Sequence, residues 1–455
     1  MWLLMALTLV GFSGDLLRYT ITWTGYGLVA LALIVTAAVM LYRNRSWLQP
    51  LIAPTPLLLF TAWCGLSITW SEYRLETSIA WLIQLTIIGL GFTTAALLTR
   101  EEFLQAFASA LRAIVAGSLI FELGVALFTG DGLIPPAYFY GNDLEFFFGS
   151  GAPQKSTAAF PSTMYWSYGH LIEGGAIQGL PGNRNLLAMV TLFAIATTVT
   201  QLLDARLRKS YGLAFLAVAF YTLWRTRSAT SLVTLGFMLL GAALVFAGRR
   251  IERRWRWALY AGVGTVLISG AVLVVRNYEE VFALMNRSSD MSGRGDIWRA
   301  VLQFGAERPV TGHGWISYWA PWLPQFDDLG VVGPTAHQQA HNAFLDVWMQ
   351  TGHIGVALFA LVVFATLVRA WWQAIDRPTA GPLTATHALG FILAIGLVVQ
   401  STTESRLLVE GYWFLLCFIA FASRQHRHEL PSTQPIRQVI QASVAVPDRR
   451  KAGNR

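Results

Sequence analysis

The chain has 455 residues, of which 55% are hydrophobic and 13% charged, and a formal net charge of +8; its mean hydropathy is +0.49. Soluble domains run at roughly 45–50% apolar and about 25% charged residues, so a soluble globular fold is excluded and an all-α polytopic membrane protein is expected. No RNA- or DNA-binding signature accompanies the basic charge, which reads as orientation in a bilayer and contact with anionic lipid, with no nucleic-acid partner.

A bilayer is crossed by about 20 mainly apolar residues, within roughly 17–25. About twelve such segments run over 1–13, 20–41, 55–70, 78–98, 104–128, 183–201, 211–224, 232–247, 257–276, 341–370, 386–401 and 411–422. The opening MWLLMALTLVGFSGD lacks a basic n-region and a small-residue cleavage site, so it reads as a retained helix. Cys64 and Cys417, the only cysteines, fall inside apolar segments and offer neither a disulfide framework nor a metal cage. The basic loops YRNRSW, DARLRKS and RRIERRWRW and the tail after 423 fall on one side if the spans alternate. That places both termini in the cytoplasm and residues 129–182, 225–231, 277–340 and 402–410 outside.

This divides the chain into an N-terminal transmembrane bundle (1–128), an extracytoplasmic loop (129–182), transmembrane helices with an arginine motif (183–276), a large extracytoplasmic loop expected to contain short helices (277–340), C-terminal transmembrane helices (341–423) and a basic tail (424–455) with the composition of a disordered extension. Tyr138, Tyr140, Tyr165, Trp166 and Tyr168 in the first external loop suit either sugar stacking or an interfacial belt. Arg112 and Glu122 are charged residues inside the fifth span; the remaining ionisable groups of interest gather at the outer boundary, unlike a transporter with its sites at the midplane.

Positive charge outside opposes the orienting rule and asks for a use. In LWRTRSATSLVTL, Arg225 and Arg227 either snorkel to headgroups or grip phosphate oxygens with planar forks. In SSDMSGRGDIWRAVLQFGAERPVTGHGW, Arg294 lies between Gly293 and Gly295, which let a backbone approach a ligand. It precedes an amphipathic helix over about 295–307, with Asp296 in its first turn and Ile297, Trp298, Val301 and Leu302 as candidate buried positions.

Three of the eight histidines, His337, His341 and His353, then fall in GPTAHQQAHNAFLDVWMQTGHIG. Thr335 and Gln338 have the form of a capping box after Pro334, so a helix is expected to begin at Thr335 and to carry His337 and His341 on one face. The H-E-x-x-H metal form would need Glu at Gln338 and a third ligand, so no metal is expected. A helix N-terminus disfavours imidazolium and leaves a neutral histidine suited to general-base work. His353 lies deeper in the apolar run.

These stretches together carry a resemblance. SGRGDIWRAVLQFGAERPVTGHGWISYW followed by AHNAFLDVWMQTGHIGVALF resembles the signature of the O-antigen ligase and polymerase superfamily, in which G-R-x-x-x-W, R-P-x-x-G-x-G and H-N-x-[FY]-L-x-x-x-x-x-x-G-x-x-G occur in that order. TRSATSLVTL and GLPGNRNLLA resemble two earlier family segments, so the likeness covers about residues 180–360. It implies a metal-independent glycosyltransferase without cofactor in the cytoplasmic membrane of a bacterium. Such an enzyme moves a glycan from a polyprenyl diphosphate carrier to a lipid, protein or cell-wall glycan acceptor. It further implies His341 as general base and Arg227 and Arg294 at the diphosphate, with Arg225, His337, Asn342, Trp298, Gly293 and Gly312 as substrate-binding positions. WRTRSAT departs from the family pattern by offering Arg225 as well as Arg227, with Thr226 where serine is usual. A repeat-unit polymerase is the alternative activity, and a lipid-linked sugar transporter a third.

Overall fold

The computed structural model describes residues 1–45, 53–130, 132–140, 164–277, 280, 294–320, 322–326, 329, 331–332, 335–336, 338–376 and 382–424. In chain order the helices are α1 (Trp2–Phe12), α2 (Gly14–Arg43), α3 (Thr55–Leu66), α4 (Arg74–Leu97), α5 (Arg100–Phe128), α6 (Ala137–Tyr140), α7 (Arg184–Leu203), α8 (Lys209–Thr226), α9 (Ala229–Arg250), α10 (Arg256–Arg276), α11 (Arg294–Gly305), α12 (Ala343–Ile375), α13 (Thr386–Ser401) and α14 (Glu410–Ala422). A two-residue ladder pairs β1 (Val331–Val332) antiparallel with β2 (Thr335–Ala336), and a 3₁₀ turn over Ser405–Leu408 joins α13 to α14.

The fold is therefore helical, and α2, α4, α5, α7, α9 and α12 are each long and apolar enough to cross a membrane. α1, α3, α13 and α14 are apolar but shorter. The segment expected at 20–41 begins earlier, at Gly14, and breaks at Ile21–Thr22, where Thr22 has φ +66°. Asp15 and Arg18 thus sit on a short arm of α2 bent away from its apolar body.

The helix expected from Thr335 does not form. Thr335 and Ala336 are in β2, and α12 starts at Ala343. Asn342 caps it instead, its Oδ1 accepting from the amides of Phe344 at 3.0 Å and Leu345 at 3.2 Å. The Asn cap satisfies two of the helix's orphan donors, whereas the backbone at Thr335 is drawn into the ladder. Arg294 is the first residue of α11 and does not precede it. Ile297 and Val301 are buried as expected, Trp298 is half-buried, and Leu302 is exposed, contrary to expectation, because the buried face of α11 narrows to the positions that meet α12. The expectations on Gly293, on His337 and on the tail beyond Arg424 lie outside the described residues.

Apolar side chains gain little from leaving a lipid environment for each other, so close packing and polar contacts carry helix association. α1 packs on α14 through Gly11 and Gly411; a Cβ on Gly411 would lie 2.6 Å from the Gly11 carbonyl oxygen. Phe12 then sits among Phe107, Phe193 and Tyr412, with ring centroids 5.7, 6.2 and 4.9 Å away. α4 packs along α14, α7 along α5 and α8, and α13 between α9 and α12. At one end of this bundle Arg206 pairs with Glu101, Arg249 donates to the carbonyls of Ala374 and Thr384, and Arg256 pairs with Asp376. At the other end α7, α9, α11 and α12 all begin.

The segment RPVTGHG seats against a break in α12. Gly352 has φ +66° and ψ −170°, a conformation essentially closed to other residues. A Cβ there would lie 2.1 Å from the Val310 oxygen. His353 N donates to Pro309 O at 2.9 Å, while His313 N and Gly314 N donate to Met349 O and Gln350 O at 3.1 and 2.8 Å. The break frees α12 carbonyls, and the loop supplies the amides that satisfy them. Gly352→Ala is expected to cost on the order of 1–3 kcal/mol from backbone strain alone, read as a lowered thermal midpoint in detergent. An unchanged midpoint would refute this account of the break.

Candidate functional site

At the end where those four helices start, one carboxylate gathers three segments. Glu404 is 3% exposed. Its Oε1 accepts from Arg294 Nη2 at 2.8 Å and from Asn185 Nδ2 at 3.2 Å, and its Oε2 meets His341 Nδ1 at 3.0 Å. Ser228 Oγ donates to Asn185 Oδ1 at 2.7 Å, which fixes the amide with its NH₂ toward Glu404. Burial by itself would raise the Glu404 carboxyl; His341, Arg294 and the Asn185 hydrogen bond outweigh it and hold it down at about 2. An anionic Glu404 can only accept, so Nδ1 of His341 carries the proton, and in the neutral ring Nε2 is the atom able to take one.

Local structure holds the histidine in place. His341 has φ +51°, a left-handed conformation in which His is enriched, and forms the corner before the Asn342 cap. On one side of the corner, Asp346, fully buried, accepts from Ala340 N at 3.0 Å and from Trp319 Nε1 at 2.8 Å. Trp298 Nε1 donates to Ala340 O at 2.8 Å, tying α11 to the same corner. On the other side, Asn342 N donates to Ser405 Oγ at 3.1 Å and Ser405 N donates to Gln339 Oε1 at 3.2 Å, locking the corner to the residue after Glu404.

Four helix N-termini converge here. Asn185 lies in the first turn of α7, Ser228 caps α9, Arg294 starts α11 and Asn342 caps α12. Each contributes the positive end of a helix dipole, and together with the arginines they make the site receptive to an anion. Arg294 is 6% exposed, and its Nη1 has no hydrogen-bond partner among the described residues.

The two arginines of WRTRSAT differ in placement. Arg225 is buried, donating through Nη1 to Leu171 O and Tyr221 Oη and through Nη2 to His170 O and Gly175 O, at 2.7 to 3.0 Å. Arg227 is exposed at the left-handed end of α8, with φ +49°, and touches the same loop through one bond to Gly174 O at 2.5 Å. Gly312 lies against Gln350 in the α12 break, supporting the loop behind the site. Trp166, among the aromatic candidates, is buried against Phe121 and Tyr19, while Tyr165 and Tyr168 are half-buried. His353 is exposed beside Trp348. Among the described residues no three His, Cys, Asp or Glu side chains converge in a metal-binding group.

The sequence reading missed Glu404 and Ser405 and passed over Asn185 and Ser228 as motif spacers. The available signal was an acidic residue in a short connection expected outside, TTESRLLVE, facing a stretch rich in arginine.

Residues 213–360 match the family model described as O-Antigen ligase. The exopolysaccharide production protein ExoQ of Rhizobium meliloti (strain 1021) is 24% identical over 214 residues, covering 45% of this chain and 47% of that protein. The match thus spans about half the length of this curated relative. The motif resemblance to the O-antigen ligase superfamily holds across that region.

Because the Glu404 carboxyl is depressed from 4.5 to about 2, it favours folding fully above 4.5, and that contribution is lost as pH falls toward 2. At roughly 1.4 kcal/mol per unit this is about 3 kcal/mol. The thermal midpoint of the wild type is expected to drop through this window, whereas Glu404→Gln starts lower and responds less. Equal pH slopes for both proteins would sink the electrostatic assignment.

Proposed function

Taking the chain as a multi-pass membrane protein related to the O-antigen ligase superfamily, we propose that it transfers a glycan from a polyprenyl diphosphate carrier to an acceptor hydroxyl. In this reading about twelve helices cross the cytoplasmic membrane of a bacterium, both termini are cytoplasmic, and the Glu404 cluster faces outward. The observation that carries the proposal is the His341–Glu404–Arg294 arrangement at four converging helix starts.

His341 Nε2 takes the proton of the acceptor hydroxyl as its oxygen attacks the anomeric carbon. The bond from that carbon to the diphosphate oxygen breaks, and the polyprenyl diphosphate leaves with the electron pair. Glu404 orients the imidazole and stabilises its protonated form, as a carboxylate behind a histidine base does. Arg227, exposed on its loop, and Arg294 through Nη1 meet the diphosphate, and the helix N-termini add fixed positive dipoles where charge develops. Arg225 is a positioning residue: it holds the 170–175 loop on which Arg227 rests. No metal ion is required for this chemistry, because the arginines neutralise the leaving group.

The similarity to an exopolysaccharide production protein favours a second reading, in which the acceptor is another lipid-linked repeat unit. Purified protein given a polyprenyl-diphosphate glycan and candidate acceptors separates the two. A ladder on the carrier identifies a polymerase, and one whole chain moved to lipid, protein or wall glycan identifies a ligase.

His341→Ala should lower transfer by about 10²–10⁴-fold with donor binding retained; activity within tenfold of wild type removes the base assignment. Arg227→Ala should raise the donor KM by about tenfold or more, the loss of one charge-assisted contact, with Arg227→Lys intermediate and the thermal midpoint unmoved. Arg225→Lys should instead lower the midpoint, since three loop carbonyls lose their donor. Exhaustive chelation should leave transfer unchanged, and loss that Zn²⁺, Mg²⁺ or Mn²⁺ restores would overturn the metal-independent mechanism.

A further inference from the structure

The turn that carries Glu404 has a second polar face. Arg406 reaches Glu410 only at 3.9 Å, and its guanidinium makes no hydrogen bond among the described residues. It lies 5.9 Å from the ring centroid of Tyr318, whose hydroxyl is likewise without a hydrogen-bond partner among them. To the same place the bent arm of α2 brings Asp15 and Tyr19. Arg18 engages only Oδ1 of Asp15, at 2.9 Å through Nε and 2.7 Å through Nη2, which leaves Oδ2 as an acceptor. Tyr19 Oη also has no hydrogen-bond partner among the described residues. Tyr19 and Tyr318 each feel the charges of Asp15, Arg18 and Arg406, so these groups form one cluster. The side chains of Asp15, Tyr19, Tyr318 and Arg406 are all half-buried.

The cluster adjoins the Glu404 site along two stretches of chain. Gly182 packs on it: a Cβ there would lie 2.8 Å from the Tyr19 ring and 3.5 Å from Asp15 Cβ. Three residues later Asn185 bonds Glu404, and three residues of chain extend at most about 11 Å. Arg406 makes the second link, on the Ser405–Leu408 turn that follows Glu404 directly. Chemically, the guanidinium and the two hydroxyls offer donors, and the hydroxyls and Asp15 Oδ2 offer acceptors. Asp15 and Glu410 offset the charges of Arg18 and Arg406, so nothing in the cluster draws an anion. A free carboxylate oxygen repels a phosphate, whereas it accepts readily from a hydroxyl. The complement of this surface is a neutral ring bearing several hydroxyls.

We propose that Asp15, Tyr19, Tyr318 and Arg406 form a subsite for one neutral hexose unit of the glycan, beside the Glu404 cluster. Arg406 and the two tyrosine hydroxyls donate to ring and hydroxyl oxygens, and Asp15 Oδ2 accepts from a sugar hydroxyl. That this sugar belongs to the transferred glycan rests on the proposed transfer; the hydrogen-bonding groups do not. A sugar lacking the matching hydroxyls leaves half-buried donors and an acceptor unpaired, so the subsite also selects among sugars.

The test uses the full chain in phosphatidylcholine nanodiscs, free of sugar detergents, and saturation-transfer NMR with the methyl glycosides of glucose, galactose, mannose and N-acetylglucosamine. At least one should bind, and saturating inorganic diphosphate should not displace it. Tyr19→Phe and Tyr318→Phe should each weaken that binding about fivefold, the value of one neutral hydrogen bond. Both should keep the wild-type thermal midpoint, because neither hydroxyl has a partner to lose. Tyr42→Phe, at an exposed position near the far end of α2, should bind as wild type does. Binding of none of the four glycosides, unaltered binding in both Tyr→Phe variants, an equal loss in Tyr42→Phe, or displacement by diphosphate would each overturn the subsite. Glycoside binding that depends on both hydroxyls in a protein that transfers no glycan would keep the subsite and sink the transfer reading instead.

Discussion

A carboxylate buried in a protein must be paired or lose its charge, and Glu404 answers that constraint with donors from three distant segments. The start of α7 reaches it through Asn185, the start of α11 through Arg294 and the corner before α12 through His341. The Arg294–Glu404 pair, with side chains 7% and 4% exposed, is deep enough that removing either member leaves an uncompensated charge. The cost of burying Glu404 is thus what defines the distances among the groups around it.

The turn that carries Glu404 is held from its other flank as well. Arg18 on the bent arm of α2 forks onto Asp15 and reaches Glu410 at 2.5 Å, with Tyr26 Oη also donating to Glu410. Arg406 lies 3.9 Å from the second Glu410 oxygen and over the ring of Tyr318. Two arginines face two carboxylates, so this cluster is balanced and fixes the Ser405–Leu408 turn between α2 and α14. One side of the turn is a charge-neutral brace, and the other presents Glu404 to the cationic groups.

Much of this architecture can be read locally. Apolar segments delimit α13 at 386–401 and α10 at 256–276 because helices that cross a bilayer are apolar along their length, and ordered motifs single out Arg227, Arg294 and His341. Two kinds of information are not local. Thr335 and Gln338 satisfy the capping pattern as well as any true cap, and only the pairing of Thr335 and Ala336 with Val332 and Val331 shows that the backbone at Thr335 is used elsewhere. Glu404 has no motif, and its importance exists only through partners 219, 110 and 63 residues away. Arg225 and Arg227 are indistinguishable in sequence, yet a two-residue difference at the end of α8 buries one and exposes the other. The glycines of RPVTGHG and the glycine of TGHIG are separate punctuation marks in sequence; in the fold they are two sides of one contact.

The sequence distances within the cluster also govern when it can exist. During synthesis Asn185, Ser228, Arg294 and His341 emerge before Glu404 does, and until it arrives Arg294 lacks the carboxylate it pairs with in the fold. The site closes when the α13–α14 connection docks, so a nascent or prematurely truncated chain that has inserted most of its helices still lacks the carboxylate that orients His341. The late position of Glu404 therefore sets an order, in which the elements that carry Asn185, Arg294 and His341 precede the carboxylate that joins them.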